Sequence, residues 1–161
     1  MFDPALLGSW FDPTDKDAGT ALVFENGETN SYQVTFVDFS GDQHLDLIFD
    51  ARLIKLGGHL FIDAVQKKAK VRGQEVDMGA VVPGHLVGRV SLQGDVLRMS
   101  FLDDDWVQKG IEAGTISVRH EDIDGTPVLT ASTQELQKFL LDHSEDDKAF
   151  SVHFDELHRR K

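Results

Sequence analysis

The chain has 161 residues, of which 40% are hydrophobic and 27% charged, a composition typical of one globular domain with a single core. Acidic residues outnumber basic ones 28 to 16, and the formal net charge of −12 disfavours nucleic acid or an anionic membrane surface as a partner of this acidic protein. The absence of cysteine excludes disulfides, thiol catalysis and zinc–thiolate sites.

The start of the chain has neither the positive nor the apolar region of an export signal, and no stretch is long and apolar enough for a transmembrane helix. We therefore expect no transmembrane segment. The compartment stays open between the cytoplasm, for the chain as it stands, and the cell envelope or periplasm, if an export signal precedes it. The sequence does not indicate an oligomeric state.

The first half of the chain alternates apolar and polar residues in short runs, which is the two-residue period of β-strands. Segments rich in Gly, Asn, Asp and Pro separate these runs and indicate turns. The pattern predicts a short strand over residues 6–11 and then a four-stranded antiparallel meander over residues 20–25, 31–38, 45–56 and 59–65.

The longest hairpin of this meander turns at Gly57-Gly58, because glycine accepts the positive φ of a tight turn. The turn places Leu53 opposite Ile62 on the inner face. It places Arg52 opposite Asp63 on the outer face, where a cross-strand ion pair is expected.

Two longer connections fix the remaining register of the meander. A loop centred on Glu28 brings Phe24 opposite Tyr32, and a turn centred on Ser40-Gly41 brings Tyr32 opposite Phe49. All of these apolar side chains then share one face, which we predict to be the interior.

Residues 66–84 show no clean period and are predicted to form a long loop. Its basic run, residues 67–72, is either a solvated loop or a small patch that faces an anion. A second hairpin follows over residues 85–102, and its turn at Gly94-Asp95 brings Val90 opposite Met99.

The sequence then predicts a short helix capped by Asp103 and ended by Gly114. Two more strands are expected over residues 115–120 and 126–130. Residues 145–161 form a charged C-terminal tail in which the pattern indicates one last short strand.

A second helix begins at the capping box of Ser132 and Glu135. Its apolar face, at helical spacing, consists of Leu136, Phe139 and Leu140. Since Ile54 and Phe61 lie on the outer face of the long hairpin, we expect this helix to pack outside the sheet and cover them.

Several motifs resemble those of a known group of proteins. They are Leu7-Gly8-x-Trp10, Leu53-x-Lys55-Leu56-Gly57-Gly58-x-Leu60-Phe61-x-Asp63, Pro83-x-His85, Asp105-Trp106 and Leu129-Thr130-Ala131-Ser132-Thr133-x-Glu135-Leu136-Gln137. Together with the meander and the last helix, they resemble the lipocalin and wider calycin superfamily, and more closely small bacterial lipocalin-like proteins without an assigned activity. The resemblance covers most of residues 6–141. It implies a barrel that the Gly-x-Trp strand closes at one end, with a C-terminal helix outside.

We therefore predict a mainly β single domain over residues 1–161. Its antiparallel meander closes into an eight- or nine-stranded lipocalin-like barrel, with a short helix and a C-terminal helix packed outside. The alternative is a two-layer β-sandwich.

For function, the sequence favours a module that binds a small apolar ligand inside the barrel. The expected ligand-binding residues are Tyr32, Phe36, Phe49, Val90, Met99 and, at the mouth or seam, His85. The same residues also fit a filled core, in which case the protein is a non-enzymatic accessory protein that binds another protein through its outer surface.

Chemistry of its own is not expected of this chain. The sequence has no Gly-x-Ser-x-Gly nucleophile motif and no glycine-rich phosphate loop. His44-x-Asp46 is the best local pair of metal ligands, but no third ligand is identifiable. We predict no enzymatic activity, no cofactor and no metal site.

Overall fold

The computed structural model describes residues 1–15, 19–39, 44–77, 84–123 and 125–160. It contains two α-helices, a 3-10 turn (Pro4–Leu6) and eleven strands. The helices are α1 (Asp104–Glu112) and α2 (Thr133–Asp142). The strands are β1 (Gly8–Phe11), β2 (Thr20–Asn26), β3 (Tyr32–Asp38), β4 (Leu45–Leu56), β5 (His59–Val71), β6 (Gln74–Val76), β7 (His85–Gln93), β8 (Val96–Phe101), β9 (His120–Ile123), β10 (Thr126–Leu129) and β11 (Val152–Arg159).

Eight of these strands form a closed antiparallel barrel in the order β1-β2-β3-β4-β5-β7-β8-β11, and β11 pairs back with β1. Strand β6 pairs antiparallel with the last residues of β5, and β9 and β10 form a separate hairpin. The predicted barrel is confirmed. The alternative sandwich is wrong, because β4 pairs with β5 and β11 with β1, at the positions where two layers would separate.

The registers predicted from two-residue turns are correct. Leu53 lies opposite Ile62 across the turn that starts at Gly57, where φ is +57°. Val90 lies opposite Met99 across the turn of the second hairpin. A two-residue turn leaves no freedom in the pairing, so its position determines the register.

The register predicted between β2 and β3 is wrong by two residues. Phe24 lies opposite Val34, and Tyr32 lies opposite the end of β2. The loop spans residues 27–31 and is closed by the hydrogen bond that the Gly27 N–H donates to the Ser31 carbonyl, so its centre falls one residue after Glu28. An even shift leaves every side chain on its predicted face.

The register between β3 and β4 is also wrong by two residues. Tyr32 lies opposite Ala51, and Val34, not Tyr32, lies opposite Phe49. The turn predicted at Ser40-Gly41 lies outside the described residues. The interior face of the meander is again unchanged.

The segment predicted as a long loop contains strand. Strand β5 continues to Val71 and turns at Arg72-Gly73, both with positive φ, into β6. A register shift next to Phe49 marks a β-bulge, and the alternation of β5 breaks at this point. This break hides the strand from a period-based analysis. The described part of the predicted loop that follows β6 is confined to Asp77 and Gly84.

The C-terminal part also differs from the prediction. Residues 115–119 are not strand, and β9 starts only at His120. Residues 145–161, expected as a charged tail with a short strand, contain the eight residues of β11, which complete the barrel wall. Its buried Leu157 belongs to the barrel core.

The core inside the barrel is built from inward-facing side chains of all eight strands of the wall. It includes the buried residues Trp10, Leu22, Phe24, Tyr32, Val34, Ala51, Leu53, Ile62, Ala64, Val90, Leu97, Met99 and Leu157. These side chains lie mainly in the half of the barrel that contains the two tight turns.

A second core lies outside the barrel, under the helices. It contains Phe61, Val107, Ile116, Val118, Phe139, Leu140, Ala149 and Phe150, with Ile54 and Leu136 packed against it. The prediction that α2 covers the outer face of the long hairpin is confirmed. Its capping box at Ser132 and the Asp103 cap of α1 are both present.

Candidate ligand site at the open end of the barrel

One end of the barrel is sealed by the N-terminal segment. The amino group of Met1 donates to the carbonyl of Leu53 at 2.8 Å, and Phe2 stacks on the ring of Tyr32 at 4.8 Å. The backbone N–H of Asp3 donates to the Tyr32 hydroxyl at 2.6 Å. Residues 1–7 therefore cover the core at this end.

The Gly-x-Trp motif belongs to the same sealed end. Trp10 is fully buried and donates from Nε1 to the carbonyl of Leu6 at 2.9 Å. The Arg159 guanidinium lies over its ring, 4.2 Å from the centroid. Gly8 has a φ of +120°, and a Cβ there would lie 2.9 Å from Arg159 Nη1, so only glycine fits.

As far as the described residues show, the opposite end of the barrel is open. It is formed by the ends of β3, β5 and β8 and the starts of β2, β4, β7 and β11. Three apolar side chains on its inner face are exposed: Val76 by 43%, Leu86 by 47% and Val152 by 52%. Each lies opposite an inward-facing residue of the neighbouring strand. An exposed apolar lining inside a concave wall is typical of a ligand site.

Aromatic rings lie below this apolar rim. The Phe154 ring of β11 lies 6.1 Å from Phe36 of β3 and 6.0 Å from Phe101 of β8, between ring centroids. Phe49 packs on the same core from β4, and all four rings are only partly buried. Gly88 leaves space for this layer, since a Cβ there would lie 2.9 Å from the Phe101 ring.

The predicted ligand-binding residues separate into three groups. Phe36 and Phe49 line the open half of the barrel. Tyr32, Val90 and Met99 lie in the buried core, where side chains already fill the space. His85 lies on the outer face, because it pairs with Val65, whereas its neighbour Leu86 faces inward.

The hydroxyl of Tyr32, one of the expected ligand-binding residues, has partners within the chain. It accepts from the backbone N–H of Asp3 and donates to the Asp3 carbonyl at 3.1 Å. Burial raises the pKa of this phenol above its ordinary value. The hydroxyl therefore holds the N-terminal segment in place.

Several residues that line the open half of the barrel were not among those predicted from the sequence. Val152 and Phe154 belong to the short strand expected within the charged tail, which was not assigned to the barrel wall, and Val76 belongs to the segment expected as a loop. The sequence could have identified Leu86 as inward-facing, because it lies two residues before Gly88 on the same strand and so shares its inner face. Phe101 had the same signal, as the cross-strand partner of Gly88.

A cleft of about 400 Å³ adjoins the open half. Strand β1 ends at Phe11 and pairs with only the second half of β11. The first half of β11 pairs with β8 on one edge, and the cleft lies along its other edge, between β11 and β2. It is lined by the apolar side chains of Leu22, Phe154 and Leu157 and by Asp12, Asp15, Thr20, Ala21 and His153. The hydrogen bonds that Thr14 donates to Asp12 lower the pKa of that carboxyl.

Metal ligands are not brought together in the part of the chain that the structure describes. His44 Nε2 and Asp46 Oδ1 lie 2.7 Å apart on β4 and the residue before it. Among the described residues, no group of three or more His, Cys, Asp or Glu side chains has a geometry that holds a metal ion.

Comparison with known proteins gives no relative. No protein-family model, no curated protein and no solved structure matches this chain significantly. Neither of the two α-helices in the described residues is long and apolar enough to cross a bilayer.

Proposed function

We propose that the protein is a lipocalin-like module that binds a small apolar ligand in the open half of its barrel, without chemistry of its own. One observation carries this proposal: inward-facing Val76, Leu86 and Val152 are exposed at one end, whereas the N-terminal segment seals the other. A ligand that entered the open end would remove this apolar surface from water, which contributes about 25 cal/mol per Å².

The side chains that line the open half suit binding. Phe36, Phe49, Phe101 and Phe154 are aromatic hydrocarbons and carry no group that transfers a proton or attacks a substrate. Polar groups lie at the side of the site, where Asp12 and His153 line the adjoining cleft. Ligand sites typically combine such an apolar lining with a few polar groups that fix the orientation.

The alternative role is that of an accessory protein that binds another protein through its outer surface. It is favoured by the outer hairpin of β9 and β10, where Ile123 and Val128 are exposed by 52% and 39%. Both side chains lie on the same face of this hairpin.

The proposal is tested by native mass spectrometry of the freshly purified protein beside a denatured control. We expect a hydrophobic adduct that is lost on denaturation. A titration with the neutral apolar dye N-phenyl-1-naphthylamine then measures the site directly, and fatty acids and alcohols compete for it.

A pair of matched variants locates the site. Leu86→Asp places a charge in the rim and is expected to weaken dye binding at least about tenfold, because a buried charge opposes an apolar ligand. Val128→Asp makes the same kind of change on the outer hairpin and should leave dye affinity unchanged. The absence of both an adduct and dye binding, or equal effects of the two variants, would remove the carrier role and favour the alternative.

A further inference from the structure

A second cleft, of about 330 Å³, lies on the outer face of the barrel wall, away from the apolar interior. Strands β4, β5 and β7 form it, and its floor is Val65, which lies between Asp50 on β4 and His85 on β7. Arg52, Asp63 and Lys67 complete the lining. Val65 is short, and the ionisable side chains around it are longer, which produces the depression.

The charges in this cleft are not paired as the sequence predicts. Arg52 lies opposite Asp63, but the Asp63 carboxylate is held by His85, with Oδ1 2.7 Å from Nδ1. Within the described ranges, the side chains of Arg52 and Lys67 make no hydrogen bond and no ion pair with another residue. Both side chains line the same cleft and are free to contact a ligand there.

We propose that this outer cleft binds the phosphate group of a small phosphomonoester. Arg52, Lys67 and His85 surround Val65 and offer N–H donors, while Nδ1 of His85 holds the Asp63 carboxylate. A tetrahedral phosphate presents its three terminal oxygens in different directions and so matches donors on several sides, whereas a planar carboxylate is best served by a single guanidinium fork.

Asp50 determines the kind of ester. Its carboxylate lies opposite Val65 and repels a bare anion, as does the Asp63 carboxylate, which His85 holds. An ester whose organic part carries an ammonium or hydroxyl group offers that carboxylate a hydrogen-bond donor. The site therefore favours phosphoethanolamine-like esters over inorganic phosphate.

The inference does not depend on the apolar ligand site. The outer cleft and the barrel interior lie on opposite faces of the same strands, and the two sites have no lining residue in common. The net charge of −12 repels anions in general, so binding of a phosphate at this wall requires local positive charge.

The test is a titration of the ¹⁵N-labelled full chain with O-phosphoethanolamine and with inorganic phosphate at low ionic strength, followed by amide shifts; ethanolamine is the control ligand. We expect saturable shifts confined to β4, β5 and β7, and tighter binding of phosphoethanolamine. Arg52→Gln and Lys67→Gln should each weaken it about tenfold. Lys55→Gln removes the same charge from an exposed site on β4 outside the cleft and should change little.

Further measurements define the ester and its source. Asp50→Asn should abolish the preference for phosphoethanolamine over phosphate. Flotation with phosphatidylcholine vesicles, with and without phosphatidic acid, separates a lipid headgroup from a free ester: Arg52-dependent flotation assigns the phosphate to a lipid. Absence of saturable shifts with both phosphate probes and of flotation, or equal weakening by Lys55→Gln and Arg52→Gln, would overturn the proposal. Melting curves confirm that the variants fold.

Discussion

Arg159 is the side chain that joins the last strand to the sealed end of the barrel. Its guanidinium donates to the carbonyls of Ala5 and Leu7 and lies over the ring of Trp10. Its Nε also pairs with Asp95 Oδ1 at 3.1 Å, in the turn between β7 and β8. One side chain thus connects the N-terminal segment, the Gly-x-Trp strand and a hairpin turn.

Removal of this side chain should lower the free energy of unfolding by about 4 kcal/mol. A hydrogen bond from a charged donor contributes about 1.5–3 kcal/mol, and we take the low end for both carbonyls because the side chain is 24% exposed. The cation–π contact contributes about 0.5–1 kcal/mol at such a site. The partly exposed Asp95 pair adds a few tenths at most. A domain with about 5–15 kcal/mol of stability still folds after this loss.

Urea denaturation of Arg159→Ala, Arg159→Lys and wild type measures the effect. The chain has two tryptophans, so a Trp106→Phe background leaves Trp10 as the single fluorescent reporter of the sealed end. Arg159→Lys keeps the charge but loses the planar fork that reaches two carbonyls, and should cost about 2 kcal/mol. Arg160→Ala removes an exposed neighbouring cation and should stay within about 0.5 kcal/mol.

If Arg159→Ala lowers the free energy of unfolding by less than about 1 kcal/mol, the Arg159 hydrogen bonds do not stabilise the fold as expected, because water then satisfies the carbonyls equally well. Equal losses for the lysine and alanine variants would show that the fork geometry is irrelevant. A comparable loss for Arg160→Ala would point to a general effect of charge.

Two further predictions concern the outer layer. Phe139→Ala should lower the free energy of unfolding by about 3–5 kcal/mol, since the ring is 8% exposed in the outer core. The control Leu141→Ala, at a side chain of the same helix that is 39% exposed, should lower it by about 1 kcal/mol or less. Equal melting temperatures for Phe139→Ala and wild type would show that α2 is not docked. Hydrogen bonds from Ser151 and from the Trp106 N–H lower the pKa of Asp103, so its stabilisation is complete above the ordinary aspartate pKa of about 3.9 and is lost as the pH falls through the lower folded pKa. Asp103→Asn should therefore flatten the loss of stability below about pH 4 in acid titrations followed by circular dichroism, and an unchanged slope would contradict this.

The sequence predicted the registers of the tight hairpins and not those of the longer loops. The turns at Gly57-Gly58 and Gly94-Asp95 fix the pairing, because two residues leave a single way to connect the strands. The loop over residues 27–31 has its own hydrogen bonds, which no periodicity reveals. The resulting errors are even numbers of residues, because an odd shift would turn the apolar face of a strand outward.

Bulges explain why β5 and β11 are longer than the sequence predicts. In β5 the bulge breaks the alternation after the residue opposite Phe49, and in β11 another lies between Phe154 and Leu157. Glu156 in the second bulge has a φ of +46°, outside the β region. Period-two analysis fails at such positions, since one extra residue exchanges the two faces of a strand.

The position of the proposed ligand site depends on tertiary structure that a strand pattern does not contain. The sequence identifies inward-facing side chains, but Tyr32 and Phe49 give the same signal although one is fully buried and the other only partly. The difference arises because residues 1–7 fold over one end of the barrel. Alternation is a property of each strand, whereas exposure depends on what covers the end of the barrel.

The contacts that stabilise the fold and the proposed ligand site therefore lie in different halves of the same barrel. The sealed half contains Trp10, Tyr32 and Arg159, whose hydrogen bonds and ring contacts have partners within the chain. In the open half, Leu86 and Val152 are exposed and therefore contribute less packing energy to the fold than buried side chains do. A barrel of eight strands has an interior just wide enough for side chains to fill or for one small ligand to occupy. Because the chain itself fills one half, the proposal places the ligand in the other half, where Val76, Leu86 and Val152 are exposed.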